Sequence, residues 1–314
     1  MPSHTPSIIP HLWFDKEAKE AAEFYASIFP RSRVKPVATL HDTPSGDADI
    51  VAFELWGQQF QAISAGPLFK FTPAISFLVN FDPLFFGKGP AAKEEAISKL
   101  DAAWKRLSEG GSALMPLDKY PFSERYGWIQ DRYGLSWQLM LTKPEGEPRP
   151  PIIPALMFAG ANYGKAEEAI ALYLAAFQDS EPGALVRNAP AQGDSKGTLM
   201  FADFRIGDRW LAIMDSPGEH RFGFNEAVSL MVVCETQADI DRYWGKLSAV
   251  PEAEQCGWLK DRFGVSWQVA PAAMNAMLTG PKEKVERLTR AFLKMKKFDL
   301  AALRKAYDGE PVSA

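Results

Sequence analysis

The sequence predicts an α+β fold: two tandem copies of one domain, each made of two βαβββ units, followed by C-terminal helices. Internal repetition, a change of hydrophobic period inside each repeat and a proline-rich break between the repeats predict it. Gly127 to Met140 reads GWIQDRYGLSWQLM and Gly257 to Ala270 reads GWLKDRFGVSWQVA, identical at eight of fourteen positions at an offset of 130. AKEAAEFYASIF (Ala18 to Phe29) pairs with AEEAIALYLAAF (Ala166 to Phe177) at an offset of 148, and FTPAISFLV (Phe71 to Val79) with FNEAVSLMV (Phe224 to Val232) at 153. DAAWKRLS (Asp101 to Ser108) pairs with DRYWGKLS (Asp241 to Ser248) at 140. Four blocks in one order make a tandem repeat, and the shifting offset assigns the first copy two insertions, one around Phe81 to Lys93 and one between Ser108 and Gly127.

IIPHLWF is an apolar run of strand length, and Asp15 is placed to cap a helix carrying Ala18, Ala22, Tyr25 and Phe29 at helical spacing. VKPVATL reads as a strand, and IVAFELW and QFQAIS alternate around Gly57 as a hairpin with Trp56-Gly57-Gln58 at its tip. AISFLVNF opens a second round, Lys93 to Leu107 is amphipathic through Ile97, Leu100, Trp104 and Leu107, and GWIQD and LSWQLML close the copy. The five prolines of TKPEGEPRPPIIP forbid helix and favour an extended spacer, which divides the chain into domains at 1–143 and 152–275 with a linker at 144–151. In the tail, 276–314, Val285, Leu288, Phe292 and Met295 share one helical face and Asp299 can cap a following helix through Leu300, Leu303 and Tyr307; both helices are expected to pack on the second copy.

The 314 residues are 46% apolar and 24% charged, so disordered, collagenous and coiled-coil classes are excluded. Thirty-five Lys+Arg against 39 Asp+Glu leave a formal charge of -4, which recommends neither nucleic acid nor an anionic membrane surface as partner; a small-molecule ligand is expected. No apolar run has membrane-spanning length and the first residues lack a secretory pattern, so the expectation is a cytoplasmic protein. Cys234 and Cys256 are expected to be unpaired thiols. Pairing of the two copies within the chain is expected, with a homodimer left open.

HLWFD followed by AKEAAEFYASIFP, then FKFTPAIS, MPLDKYPFSERYGWIQDRYGLSWQLM and QCGWLKDRFGVSWQV resemble the PhnB-like branch of the vicinal-oxygen-chelate superfamily, which includes glyoxalase I, extradiol dioxygenases and antibiotic-sequestering proteins. Members of this branch often carry the label 3-demethylubiquinone-9 3-methyltransferase. The resemblance spans nearly the whole chain, and LKMKKFDLAALRKAY is similar to the tail of two-domain members. It implies tandem vicinal-oxygen-chelate domains. In catalytic members a divalent metal sits in a sheet cleft, held by His or Gln of a unit's first strand and Glu of its last.

By that correspondence the first copy offers His11, Gln61, Ser76 and Gln138, with Gln138 where a Glu would stand; the second offers Ala155 in place of His11, with Ser229 and Gln268. One imidazole among neutral amides is a poor cage for Zn²⁺, so the resemblance leaves a first-copy metal on His11 and Gln138 as the weaker alternative and the cofactor open. The residues alone allow His11 to be a hydrogen-bonded strand residue, and Gln138 and Gln268 either to face a cleft or to bond a neighbouring strand or turn. Asp131-Arg132 and Asp261-Arg262 read as structural turns, and Trp104 and Trp244 as core. The inserted PLDKYPFSERY carries Tyr120 and Arg125 on a loop that could cover the first-copy cleft or join the copies. The methyltransferase label finds no support: Gly87-Lys88-Gly89-Pro90 is the only glycine-rich candidate for S-adenosylmethionine, it lies in the insertion absent from copy two, and no alternating βαβ pattern flanks it. The expectation is a protein that binds a small organic molecule in the first-copy cleft, with room for metal-assisted isomerase, lyase or dioxygenase-like chemistry there; the alternative is a non-catalytic sequestering or interaction protein.

Overall fold

The computed structural model describes residues 5–43, 45–189 and 197–311. The first copy contributes β1 (Ser7–Phe14), α1 (Ala18–Ile28), β2 (Arg33–Val34), β3 (Ala38–Thr43), β4 (Gly46–Leu55), β5 (Gln58–Ser64), β6 (Ile75–Phe81), α2 (Pro90–Leu107), β7 (Ser112–Tyr120), β8 (Ser123–Gln130) and β9 (Ser136–Leu141). The second contributes β10 (Ile152–Phe158), α3 (Ala166–Ala176), β11 (Ser180–Arg187), β12 (Leu199–Ile206), β13 (Arg209–Asp215), β14 (Val228–Cys234), α4 (Gln237–Leu247), β15 (Trp258–Lys260) and β16 (Ser266–Pro271). The tail forms α5 (Ala273–Leu278), α6 (Lys282–Phe292) and α7 (Leu300–Asp308), and the side chain of Asp299 caps α7 by accepting from the backbone N–H of Ala302 at 2.9 Å. Among the described residues no helix is long and apolar enough to cross a membrane.

The strands form two mixed sheets, and each sheet takes one unit of the βαβββ type from each copy; the last unit, β14, α4, β15 and β16, supplies only three strands. The first runs β15-β16-β14-β1-β5-β4-β2 with β3 on β4; the second runs β11-β12-β13-β10-β6-β9-β8-β7. The joining strands are the first of each unit: β1 lies antiparallel to β14 with His11 opposite Ser229, and β10 antiparallel to β6 with Ala155 opposite Ser76. Neither sheet is therefore built by one sequence copy alone. The physical cause lies in the spacer. It is short and extended, so β10 must start close to the end of β9, one strand away across β6. Asn80 of β6 holds it there, donating from its side chain to the carbonyl of Pro150 at 2.9 Å and from its backbone to that of Pro151 at 2.7 Å. The continuous middle of the chain thus makes the second sheet, and the two ends meet to make the first.

Alternation decides which residues enter the core. Leu12, Phe60, Leu230 and Trp267 of the first sheet and Phe77, Val79, Trp137 and Leu156 of the second belong to one buried apolar cluster, so the sheets pack inner face to inner face, with Phe60 and Phe77 rings 5.1 Å apart. His11, Gln61 and Gln268 are on the outer face of the first sheet; Ser76, Gln138, Ala155 and Ala212 are on the outer face of the second. Helix α1 buries Ala18, Ala21, Ala22 and Tyr25, the spacing of one helical face, but its N-cap is Glu17 with no side-chain bond, so Asp15 is not the cap. At the β4–β5 turn Trp56 and Gly57 both take positive φ, 47° and 80°, the backbone a two-residue hairpin needs; the Trp ring offsets its strain by burial against Phe81, 5.3 Å away.

The DR-x-G turn is built alike in both copies. Asp131 is buried and accepts four hydrogen bonds: Tyr25 hydroxyl at 2.8 Å, Trp137 indole at 2.9 Å, and the backbone N–H groups of Tyr133 and Leu135 at 2.8 and 3.0 Å. Asp261 repeats this with Tyr173 at 2.7 Å, Trp267 at 3.0 Å, Phe263 at 2.9 Å and Val265 at 3.1 Å. Burial pushes each carboxyl above the usual range while its donors pull it down, and four donors aimed at two oxygens suit the ionised form. Asp131→Ala would strand all four donors, so chemical denaturation is expected to show a loss of at least about 3 kcal/mol, against about 1 kcal/mol for Tyr25→Phe, which removes one. Equal losses would show that the carboxylate organises nothing beyond that single bond.

Candidate functional site

The outer face of the first sheet encloses a cavity of about 500 Å³. One wall is the sheet, through His11, Trp13, Gln61, Ile63, Met231 and Gln268; the opposite wall is the C-terminal tail. The tail does not pack on the second copy alone, as its sequence suggested. Met274, Met277, Val285, Leu288, Phe292 and Phe298 form a separate apolar cluster with Leu40, Ala48 and Ala65 of the first copy, so the tail spans the mouth of a sheet that both copies built.

His11 is 4% exposed, and burial pushes its imidazole down to about 3, so it is neutral near pH 7. Its Nδ1 is buried and has no hydrogen-bond partner, which corrects the expectation of a satisfied strand histidine. The ring meets Trp258 edge to face with centroids 5.4 Å apart; Trp258 in turn meets Trp13 at 6.1 Å, and Trp13 meets Phe69 at 5.1 Å. Across the sheet the Gln268 amide donates to the Ser229 hydroxyl at 2.9 Å. The pseudo-equivalent tryptophan of the second sheet, Trp128, donates its indole N–H to Ser136 at 2.8 Å, whereas Trp258 packs on His11 and leaves Ser266 Oγ without a partner.

The other sequence candidates lie elsewhere. Gln138 is on the second sheet, where its amide donates to Ser76 at 2.8 Å and accepts from the Tyr126 hydroxyl at 2.7 Å, so its polar atoms bond neighbouring strands. His11 and Gln61 therefore share a face, opposite each other in register, and Ser76 and Gln138 share another; a single first-copy cleft holding all four is not formed. Physically, residues of one copy were brought to opposite sides of the sandwich by the exchange of partner strands. The inserted segment is not a loop over the cleft: it is the β7–β8 hairpin at the edge of the second sheet. There Tyr120 donates to the Pro116 carbonyl at 3.0 Å and stacks with Phe122, and Arg125 pairs with Asp101 of α2 at 2.8 Å. On that sheet's outer face Arg149 from the spacer lies 3.7 Å from the Trp210 ring centroid and binds buried Asp203 through two nitrogens at 2.7 and 3.3 Å.

The donors do not suit a divalent metal. Around His11 stand Gln61, Ser229 and Gln268, with the Gln268 amide already turned to Ser229, and among the described residues no three His, Cys, Asp or Glu side chains come together. His11 and Gln138, the pair considered for a metal, are on opposite faces. Arg132 lies 3.9 Å over the Phe24 ring and Arg262 pairs with Glu168 at 2.8 Å, so both serve their turns. Gly87 and Gly89 take positive φ and lead into α2, which connects to the edge strand β7 rather than to a parallel neighbour of β6. Cys234 and Cys256 are free thiols; burial pushes Cys256, on the cavity wall, above its usual range. Trp13 was within reach of the sequence, two residues after His11 on the same strand and so on the same face. Phe292 and Phe298 carried only a generic apolar signal.

The neutral state of His11 has a pH consequence. Its folded value lies below its ordinary value of 6.5, so its contribution to stability is whole above about pH 6.5 and is lost as the pH falls towards 3. Relative to His11→Leu, the unfolding free energy of the wild type should fall by up to about 1.4 kcal/mol per pH unit between pH 6 and 4. A difference between the two proteins that stays constant over that range would show His11 to be protonated without penalty.

A family model described as 3-demethylubiquinone-9 3-methyltransferase matches the chain twice, over residues 6–140 and 150–270. Among solved structures, the PhnB protein from Bacillus cereus is 31% identical over 45% of this chain and 100% of its own, with a TM-score of 0.35. Glyoxalase I from Zea mays is 11% identical over 84% of this chain and 92% of its own, with a TM-score of 0.47. A glyoxylase/bleomycin resistance protein/dioxygenase domain from Frankia sp. is 16% identical over 44% and 90%, with a TM-score of 0.29. No curated protein matches the chain.

Proposed function

Because the chain belongs, through both of its copies, to the family described as 3-demethylubiquinone-9 3-methyltransferase, we propose that it binds a small organic molecule on the outer face of its first sheet, without a metal. The observation that carries this reading is the buried, partnerless Nδ1 of His11 on the wall of a cavity of about 500 Å³. A buried polar nitrogen without a partner costs free energy that a bound molecule can restore, and the volume falls within the range of small-molecule pockets. The surrounding donor set supports binding over metal-assisted isomerase, lyase or dioxygenase-like chemistry, since it supplies no carboxylate beside His11. The second sheet supports no parallel role: Ala155 and Ala212 stand where the first has His11 and Gln61, and Arg149 with Asp203 covers part of the same face.

A thermal-shift screen of small organic molecules is expected to give compounds that raise the Tm of the wild type and have no effect on Ala270→Trp, whose indole would occupy the cavity. His11→Phe should weaken those compounds about tenfold, the worth of one buried hydrogen bond. Compounds that stabilise Ala270→Trp equally would move binding elsewhere. One zinc, manganese, iron or nickel per chain in elemental analysis, lost on His11→Ala, would replace binding by metal chemistry.

A further inference from the structure

One wall of the cavity is built by residues outside both family matches. The matches end at residue 270, yet Met274, Leu278, Phe292, Leu293 and Phe298 line the space. The segment that carries the last three is strapped to the turn before β15. Gln255 donates from its amide to the Leu293 carbonyl at 2.7 Å, and the backbone N–H groups of Cys256 and Gly257 donate to Met295 and Lys296 carbonyls at 2.8 and 2.7 Å. Phe298 closes the contact by lying where Gly257 has no side chain: a Cβ there would come within 2.5 Å of its ring. The wall is therefore positioned by backbone bonds and is not a loosely draped arm.

The charge on the lining is one-sided. Among the described residues around the cavity there is no Lys or Arg; its carboxylates are Glu226, held by Lys260 at 2.7 Å, and Glu252. His11 is neutral. An anion moved there would give up its hydration and meet no cation but Lys260, which is already paired with Glu226. The remaining lining is mostly aliphatic or aromatic, apart from Thr43, Ser45, Gln61, Gln255, Gln268 and Asn275; Trp258 meets His11 edge to face, Trp13 meets Trp258 and Phe69 meets Trp13, a wall against which a flat apolar ring packs well.

Building on the binding reading above, we propose that the ligand is a neutral, largely apolar, ring-containing molecule, held between the aromatic wall of the sheet side and an apolar wall that the C-terminal tail adds to it. Phosphorylated and carboxylate-bearing metabolites are thereby excluded as a class. The polar demand of the site is a single group for the imidazole and one or two for the Gln61 and Gln268 amides, against an apolar wall supplied by the tail.

The test uses the full chain with two fluorescent probes of similar size and opposite demand: neutral N-phenyl-1-naphthylamine and anionic 8-anilino-1-naphthalenesulfonate. The neutral probe is expected to bind saturably, with a blue-shifted emission excited by energy transfer from tryptophan, and at least tenfold more tightly than the anion. Leu278→Trp, which fills the space from the tail side, and Phe292→Ala, which opens the wall, should each weaken the neutral probe at least tenfold, with near-ultraviolet circular dichroism confirming that both variants fold. Neutral-probe binding that is abolished by Ala270→Trp but unchanged in both tail variants would overturn the tail's role and leave the binding reading standing. An anion that binds as tightly as the neutral probe would overturn the ligand class. No saturable binding of either probe, or binding indifferent to Ala270→Trp, would remove the binding reading itself.

Discussion

A buried carboxylate that accepts four hydrogen bonds is the point from which each half of this molecule is organised. In both copies the aspartate of the DR-x-G turn ties the turn's own backbone, the tryptophan of the next strand and a tyrosine from the first helix of the same copy. The tyrosine matters most for architecture. Tyr25 lies on α1, which packs on the first sheet, whereas Asp131 belongs to the closing hairpin of the second; Tyr173 and Asp261 make the reciprocal crossing. A low-dielectric interior strengthens such bonds and penalises their loss, so the two sheets are stapled back to back at two equivalent places. The signature that identifies the repeat is thus a structural device.

The exchange of partner strands becomes the natural outcome once the sheets are held in this way. Each unit exposes its first strand as an unpaired edge, and an edge with free N–H and C=O groups needs a neighbour. The short proline-rich spacer brings β10 beside β6, which leaves β1 and β14 for each other. Arg209 seals the seam: it is buried, donates to the carbonyls of Ile8 and Gln59 at 2.9 and 3.1 Å and to the Gln58 side chain at 2.8 Å, and thereby links β13 of the second copy to β1 and β5 of the first. The outer faces of the two sheets are the products of this exchange, and neither belongs to one copy.

Those faces have diverged although their strand orders correspond. On the second sheet every polar atom of Gln138 is used, small residues replace His11 and Gln61, and the spacer's Arg149 is drawn onto Trp210 and Asp203. On the first, a histidine keeps an unused nitrogen and the tail stands off far enough to leave a cavity. The asymmetry originates in the chain beyond each closing strand. After β9 it must cross at once to β10; after β16 it is free to form three helices and return over the mouth.

Much of the fold was legible in the sequence. The repeat blocks, the alternation through IVAFELW and QFQAIS, the helical spacing of Ala18, Ala22 and Tyr25 and the Asp299 cap are local signals, set by hydrophobic period and by side chains that bond their own backbone. His11, Gln61 and Trp13 could be assigned to a polar-and-aromatic strand face for the same reason. The grouping of His11 and Gln61 with Gln268, and their separation from Ser76 and Gln138, could not, because strand pairing is a non-local choice between edges of nearly equal local propensity. Nor could the cavity. The apolar stripe of α6 states that Leu288 and Phe292 must be covered, but an amphipathic face carries no address, and only the strap of Leu293, Met295 and Lys296 on the turn before β15 decided which surface covers it. Sequence alone determined the units and their faces; tertiary structure decided which faces meet, because that depends on the length of the spacer and the balance of long-range contacts.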